Sequence, residues 1–125
     1  MSWEYFSYDE LKCPCCGLMR MDDNFMRRLV LFRHYLNFPF IVTSGYRCPK
    51  HNNQVSDTGL YGPHTKGRAI DIHVYGDKAW KFLQAQMFGF TGIGFKQTGF
   101  YSTRIIHLDD LETDEIRQRP WVWGY

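Results

Sequence analysis

Three features that the sequence lacks limit what this protein can be. It has no stretch of about 18 apolar residues, so we expect no membrane-spanning helix. Its first residues are aromatic and acidic, where a secretory signal would begin with Lys or Arg and continue with an apolar run. Lys and Arg number 15 and Asp and Glu 13, which leaves a net charge of only +2. Because nucleic-acid binding requires a clear basic excess, we expect no nucleic-acid partner.

The cysteines do not form the two Cys-x-x-Cys pairs of a zinc ribbon. Cys13, Cys15 and Cys16 are clustered, whereas Cys48 stands alone, so the pair Cys13 and Cys16 has no second pair to match it. Three interpretations are open at this level: a disulfide with two spare thiols, a structural metal site, or reduced thiols that pack in the core.

Length and composition are those of one folded domain. The chain has 125 residues, of which 44% are hydrophobic and 22% charged, and this balance argues against disorder. No linker, internal repeat or low-complexity tract divides it. We therefore predict a single domain over residues 1–125.

Local patterns predict both helices and strands. Apolar residues recur at steps of three and four over 23–36 and again over 77–88, which predicts two amphipathic helices. β-rich or alternating runs predict strands over 40–43, 68–74, 92–96 and 100–108, with a hairpin turn at 97–99. Trp121 and Trp123 alternate as in a terminal strand. The segment 44–67 has no period and several Gly and Pro residues, which is typical of a functional loop.

Asp71 is the first residue that calls for a chemical explanation. It lies on the predicted strand 68–74 among Ala and Ile residues. An ionised carboxylate in such surroundings needs a partner, because burying it alone is costly. A metal ion, Arg68 or Arg104 could each be that partner.

Two histidines complete a set that is typical of a zinc site. Two imidazoles and one carboxylate, from His64, Asp71 and His107, match the three protein ligands of a catalytic zinc ion, which keeps a fourth position open. His73 is a rival ligand, because it shares the strand face of Asp71. Asp109 shares the strand face of His107, so its carboxylate is placed to carry a proton to a leaving nitrogen.

Three segments resemble a known family. Residues 62–71 read GPHTKGRAID and resemble the His-x-x-Gly-x-Ala-x-Asp motif of the zinc D-Ala-D-Ala carboxypeptidase family. That family includes D,D-carboxypeptidases, dipeptidases and phage L-Ala-D-Glu endopeptidases, and it shares its fold with the zinc domain of hedgehog proteins. Upstream, TSGYR at 43–47 resembles the family's Ser-Gly-Tyr-Arg segment, and downstream IIHLD at 105–109 resembles its last-ligand strand.

The resemblance implies roles for individual residues. The implied zinc (Zn²⁺) ligands are His64, Asp71 and His107. Arg47 is implied to hold the substrate carbonyl or the oxyanion, which suits a guanidinium because it stays charged and offers a rigid donor fork. Ser44 and Tyr46 are the predicted substrate-binding residues beside it.

Two positions depart from the family pattern. Many members have Ser two residues before the first ligand, where this sequence has Gly62, and the second departure bears on catalysis. Many members have Glu or Asp three residues before the last His as the general base, and here that position is Arg104. We therefore predict that Asp109 is the catalytic carboxylate, with Asp110 as the alternative. Arg47 and Asp109 are thus the predicted catalytic residues.

These observations predict an α+β domain of the hedgehog/D,D-peptidase type, in which a small, mostly antiparallel sheet has helices packed on one face and the metal site on the other. The implied function is a zinc metallopeptidase that hydrolyses peptide bonds in peptidoglycan stem peptides, as a carboxypeptidase or an endopeptidase. One alternative is a non-catalytic zinc-containing module of the same fold that binds a cell-wall peptide or a protein. Another is a zinc-knot adaptor built on Cys13 and Cys16.

Without a visible signal peptide, we expect the protein to be made in the cytoplasm and to act on the cell wall. An endolysin-like phage protein, released through a holin or carried in a virion, fits this expectation, and so does a bacterial protein. The sequence makes no prediction about oligomeric state or about which bond is cut.

Overall fold

Short helices connect the strands of one sheet. The structure, a computed structural model, describes residues 2–125. Its α-helices are α1 (Tyr8–Leu11), α2 (Asp23–Leu36), α3 (Pro49–Val55) and α4 (Asp77–Lys81). Its 3-10 segments are Gly59–Tyr61, Pro63–Lys66, Phe82–Phe88 and Tyr101–Thr103. Within residues 2–125, none of these helices is long and apolar enough to cross a membrane.

Helix α2 forms where the sequence brings a cap, an apolar stripe and a stop together. The carboxylate of Asp22 accepts a hydrogen bond from the amide of Phe25 at 2.9 Å, which caps the first turn. The helix ends at Asn37, which adopts the left-handed conformation (φ 59°) that commonly ends helices. Its apolar stripe is buried, so the predicted helix over Asp23–Leu36 is confirmed.

Three other predicted elements differ in detail. The helix predicted over 77–88 is α-helical only to Lys81 and continues as a 3-10 segment, whose three-residue turn buries Phe82 and Ala85 on one side. The loop 44–67 contains α3 and two 3-10 segments. The hairpin turn predicted at 97–99 is longer, because residues 100–103 hydrogen-bond within a 3-10 turn before the next strand begins.

Five strands form one sheet in the order β1-β2-β4-β3-β5. The strands are β1 (Ile41–Ser44), β2 (Ala69–His73), β3 (Gly92–Lys96), β4 (Ile105–Asp109) and β5 (Trp121–Gly124). The two strands that the sequence predicts to contain Asp71 and His107 are neighbours at the centre of this sheet.

The sheet is mixed, whereas the sequence predicts a mostly antiparallel one. Strands β1 to β4 pair in antiparallel orientation, but β5 runs parallel to β3. The connection after β4 is the reason. The chain leaves the sheet at Asp109, which pairs with Gly92, and returns at Trp121, which also pairs with Gly92. Strand β5 therefore starts at the end of the sheet where β4 finishes, on the far side of β3.

Register separates the polar side chains of the central strands from the apolar ones. Asp71 pairs with His107, whereas the next pair along the strands is Ile72 with Ile106. The isoleucines belong to the core cluster that contains the buried residues of α2, such as Phe32. Successive side chains on a strand point to opposite faces, so Asp71 and His107 lie together on one face.

Gly67 is required where the turn before β2 meets the segment before α2. It has a φ of +68°, and its carbonyl accepts a hydrogen bond from the amide of Asp22 at 2.8 Å. A Cβ at this position would overlap the backbone carbonyl oxygen of Arg20. Only glycine satisfies both the left-handed conformation and the close backbone approach.

We expect Gly67→Ala to destabilise the protein more than the control Gly89→Ala. Gly89 has the same left-handed conformation (φ 88°, ψ 9°), and a Cβ there meets only the exposed Arg28 side chain, which can move, so it isolates the conformational cost of about 1–2 kcal/mol. The overlap at Gly67 should add about 1–3 kcal/mol. Urea unfolding of both variants measures the difference, and equal losses would contradict the role of backbone contact.

Candidate metal centre

Three polar side chains meet beside the central strands. His64 comes from the 3-10 turn Pro63–Lys66, Asp71 from the middle of β2 and His107 from the middle of β4. All three are buried, and one ligand atom of each lies within 4.8 Å of those of the other two. The three residues that the sequence predicts as metal ligands are therefore brought together.

Both imidazoles face the same carboxylate oxygen. His64 Nε2 lies 3.3 Å from Asp71 Oδ1, and His107 Nδ1 lies 3.1 Å from that oxygen. The two rings approach each other edge to face, with their centroids 5.3 Å apart. This arrangement places one oxygen atom and two nitrogen atoms around a common point.

The far side of each imidazole determines which nitrogen holds the proton. His64 Nδ1 lies 2.7 Å from the carbonyl oxygen of Gly45, which can only accept, so we assign the proton to Nδ1. His107 Nε2 lies 2.8 Å from Asp109 Oδ2, and an ionised carboxylate also only accepts. In these tautomers, both remaining lone pairs point toward Asp71.

The two imidazole nitrogens and the carboxylate oxygen are all acceptors, and a cation among them would remove their mutual repulsion. Two lone pairs and a carboxylate oxygen repel one another unless a proton or a metal ion lies among them. Two imidazoles and one carboxylate form a donor set that suits zinc, and outer hydrogen bonds of this kind commonly orient zinc-bound histidines. The residues present therefore fit a zinc ion.

The charges around His107 and Asp71 are strongly coupled. Burial by itself would lower the pKa of His107, but the hydrogen bonds and negative charges of Asp109 and Asp71 outweigh it and raise this pKa to about 9. Burial would raise the pKa of Asp71, yet the neighbouring His64 and His107 hold it well below its usual range. Asp71 is thus an ionised, buried carboxylate.

Arg47 is the cation that contacts Asp71 directly. Its Nη2 donates to Asp71 Oδ2 at 3.1 Å, on the carboxylate oxygen that the histidines leave free. Its Nε donates to Ser44 Oγ at 2.8 Å, and its Nη1 donates to Asn52 Oδ1 at 3.1 Å. Neither Arg68 nor Arg104, the partners proposed from sequence, holds this place.

Asp109 is fully buried, and both of its carboxylate oxygens accept hydrogen bonds. It receives two hydrogen bonds from Arg119, at 2.9 Å on Oδ1 and 2.7 Å on Oδ2, in addition to its contact with His107. The amide of Leu111 also donates to Oδ1 at 3.3 Å. Gly92 leaves the space for this carboxylate, since a Cβ there would overlap it. Burial would raise the pKa of Asp109, but His107 and Arg119 keep it well below its usual range.

Other candidates from the sequence lie elsewhere. His73 Nδ1 contacts the carbonyl oxygen of Arg104 at 3.0 Å and is not part of the cluster. The guanidinium of Arg104 donates to Gly99 O and stacks on Tyr101. Asp110, the alternative base, forms an ion pair with Arg68 at 2.8 Å.

The predicted substrate-binding residues are close to Arg47 but differ in surroundings. Ser44 is partly exposed and holds the guanidinium of Arg47, as described above. Tyr46 is buried and belongs to the core cluster. A contact of either residue with a substrate stays a prediction.

A cleft of about 890 Å³ opens onto the three ligands and Arg47. Part of its lining comes from β5 and the segment before it, namely Ile116, Arg117, Arg119, Trp121, Trp123 and Tyr125. Alternation in the sequence places Trp121, Trp123 and Tyr125 on one side of this strand. That alternation predicts the strand, whereas no local signal indicates that its aromatic side faces the metal ligands.

Two other residues of the site were missed by sequence reasoning. Asn52 is fully buried in α3 and accepts a hydrogen bond from Arg47, and Arg119 binds Asp109 from beyond the sheet. Asn52 lies between two of the segments that resemble the family, and this position is the signal in the sequence that points to it. Arg119 lies in a polar connection with no pattern that singles it out.

Comparison with protein families matches residues 4–109 to the family described as peptidase M15. The match includes all three candidate ligands and Arg47, and it ends before the segment that provides Arg119 and the aromatic side of the cleft. No curated protein and no solved structure matched the chain. Because the match covers most of the sequence, the chain belongs to the peptidase M15 family, the zinc D-Ala-D-Ala carboxypeptidase family that its motifs resemble.

Proposed function

We propose that this protein is a zinc metallopeptidase that hydrolyses peptide bonds in peptidoglycan stem peptides, as a carboxypeptidase or an endopeptidase. The observation that carries the proposal is the convergence of His64, Asp71 and His107 in a cleft that Arg47 also lines. Membership of the peptidase M15 family supports the reaction class. A cleft of about 890 Å³ has room for a short peptide.

His64, Asp71 and His107 would hold the zinc ion, on the sheet face opposite the one that packs against α2. When bound, zinc acts as a Lewis acid that polarises a carbonyl and lowers the pKa of water to about 7. The protein's own contribution is to keep both histidines in the tautomers that leave a lone pair toward Asp71. Gly45 and Asp109 provide this through the two outer hydrogen bonds.

Arg47 is suited to bind the carbonyl oxygen of the scissile bond. Three hydrogen bonds, to Ser44, Asn52 and Asp71, hold its guanidinium beside the ligands before any substrate arrives. Donors that are already oriented stabilise developing negative charge without reorganising during the reaction. Ser44 thus contributes by positioning Arg47.

Asp109 acts, in this proposal, as a positioning residue for His107. Its carboxylate is fully buried and accepts from His107, from Leu111 and twice from Arg119, so no oxygen of it faces the cleft freely. Asp57, in contrast, lines the cleft and is exposed. We therefore assign proton exchange with the substrate to Asp57 instead of Asp109.

The second candidate function is a binding module of the same fold that does not cut its ligand. One observation favours it: Arg104 occupies the position of the family's usual general base and turns away to Gly99. Such a module would use the same cleft to hold a cell-wall peptide or a protein. The single-domain extent over residues 1–125 and delivery by a holin or a virion stay predictions.

The decisive experiment is incubation of zinc-loaded protein with purified muropeptides, followed by mass spectrometry of the products. We expect cleavage that a chelator abolishes, that added zinc restores, and that His64→Ala lacks. The mass of the products identifies the bond. Binding of muropeptides by zinc-loaded protein without any cleavage would support the binding module and contradict the peptidase.

Replacing Arg47 should reduce turnover strongly. We expect Arg47→Lys to lower kcat/KM by about 10²–10³-fold, because a lysine keeps the charge but loses the donor fork. Arg104→Lys is the matched control, since Arg104 donates to Gly99 and does not line the cleft. Steady-state kinetics measure both variants, and an equal effect of the two would argue against a role for Arg47 at the substrate.

Asp109→Asn separates positioning from proton transfer. We expect its zinc affinity to fall by about 10–100-fold, as is usual for loss of an outer hydrogen bond to a zinc-bound histidine. At saturating zinc its kcat should be largely recovered, whereas Asp57→Asn should lose kcat and keep its affinity for zinc. A chelator competition assay and kinetics at saturating zinc give both values. Normal zinc affinity with lost kcat in Asp109→Asn would restore Asp109 as the proton carrier.

A further inference from the structure

A second group of metal-ligating side chains lies apart from the cleft. The Sγ atoms of Cys13, Cys16 and Cys48 lie within 4.8 Å of one another. All the cysteines of the chain are free thiols, and Cys15 flanks the group as an exposed one. None of these four residues lines the cleft that contains His64.

A tight turn presents Cys13 and Cys16 on the same side. The amide of Gly17 donates to the carbonyl of Cys13 at 2.8 Å, and the amide of Cys13 donates to Leu18 O at 2.7 Å. Gly17 has a φ of +75°, a conformation that glycine adopts without strain. The chain therefore reverses over Cys-Pro-Cys-Cys-Gly and brings two thiols separated by two residues together.

Cys48 reaches this turn from the loop that carries Arg47. Its backbone amide lies 3.3 Å from Cys13 Sγ and donates to it. The Cys48 sulfur in turn accepts from the amide of His51 at 3.4 Å, as the N-cap of α3.

We propose that Cys13, Cys16 and Cys48 bind a zinc ion as a structural site, with Cys15 as the fourth ligand. Three mutually close thiols exceed what one disulfide could use, and the exposure of Cys16 does not suit inert packing in the core. Thiolate sulfur is a soft ligand that selects zinc among the common divalent metals, and structural zinc sites are closed by four protein ligands. Cys15 lies in the same turn as Cys13 and Cys16 and is the one remaining free thiol of the chain.

This second site would support the first one through the segment 45–48. The amide of Tyr46 donates to Leu11 O at 2.8 Å, and Gly45 packs directly against the backbone of Leu11. The same segment provides the Gly45 carbonyl that orients His64 and the guanidinium of Arg47. A metal ion joining 13–16 to Cys48 would therefore brace both residues.

Metal analysis of variants tests the proposal. We expect two zinc ions per chain in the wild type, one in Cys48→Ser and one in the control His107→Ala, because each variant loses a different site. X-ray absorption of zinc in His107→Ala should show at least three sulfur neighbours at about 2.3 Å. If the histidine site bound no zinc, the wild type would still hold one sulfur-bound ion, so failure of either site is recognised separately. Zinc with only nitrogen and oxygen neighbours would overturn the cysteine site.

A second test uses the wild-type protein, so it does not depend on whether the variants fold. In the zinc-loaded native protein, the exposed thiols of Cys15 and Cys16 should be protected from a thiol reagent, and they should react after a chelator is added. The intact mass measured under non-reducing conditions should equal that of a chain with four free thiols, because a disulfide would remove two hydrogens. A disulfide by mass, or thiols whose reactivity does not change on adding the chelator, would overturn the proposal.

Discussion

The carboxylate of Asp71 is the constraint on which the rest of the site depends. It is buried and ionised, and it lies against two imidazoles and one guanidinium. Burying such a group alone would be costly, so the surrounding elements have to supply positive charge at a defined place. The central strands provide this by register, since Asp71 on β2 is opposite His107 on β4.

An outer layer of contacts decides how that charge is arranged. Gly45 and Asp109 hold the far nitrogens of His64 and His107, and Arg119 closes the layer by binding Asp109 twice. The near nitrogens are then directed at the same carboxylate oxygen. The positions of these nitrogens and of the carboxylate fit a metal ion among the three side chains.

The connection after β4 gives this protein features beyond the matched part of its family. It supplies Arg119 to the buried Asp109, and it leads into β5, which adds an aromatic side to the cleft. Both features follow from the parallel pairing of β5 with β3, which returns the chain to the end of the sheet where β4 finishes. The aromatic side of the cleft is therefore built by residues outside 4–109.

The elements and groupings that depend on local patterns could be predicted from the residues alone. The cap at Asp22 and the apolar stripe define helix Asp23–Leu36, and the spacing of His64, Asp71 and His107 resembles a ligand motif. The sequence indicated the family for the same reason, since motifs are short and contiguous.

The partners of these groups depend instead on contacts between segments that are far apart in the chain. Local spacing offered Arg68 or Arg104 to Asp71, but Arg47 occupies that place because the loop 44–67 folds back over β2. Strand alternation put Asp109 on the face of His107, yet it could not reveal that Arg119, ten residues away, buries and neutralises it. Two other features could not be predicted for the same reason: β5 runs parallel to β3, and Cys48 contacts Cys13. They depend on how distant segments cross in space, and no short sequence pattern encodes that.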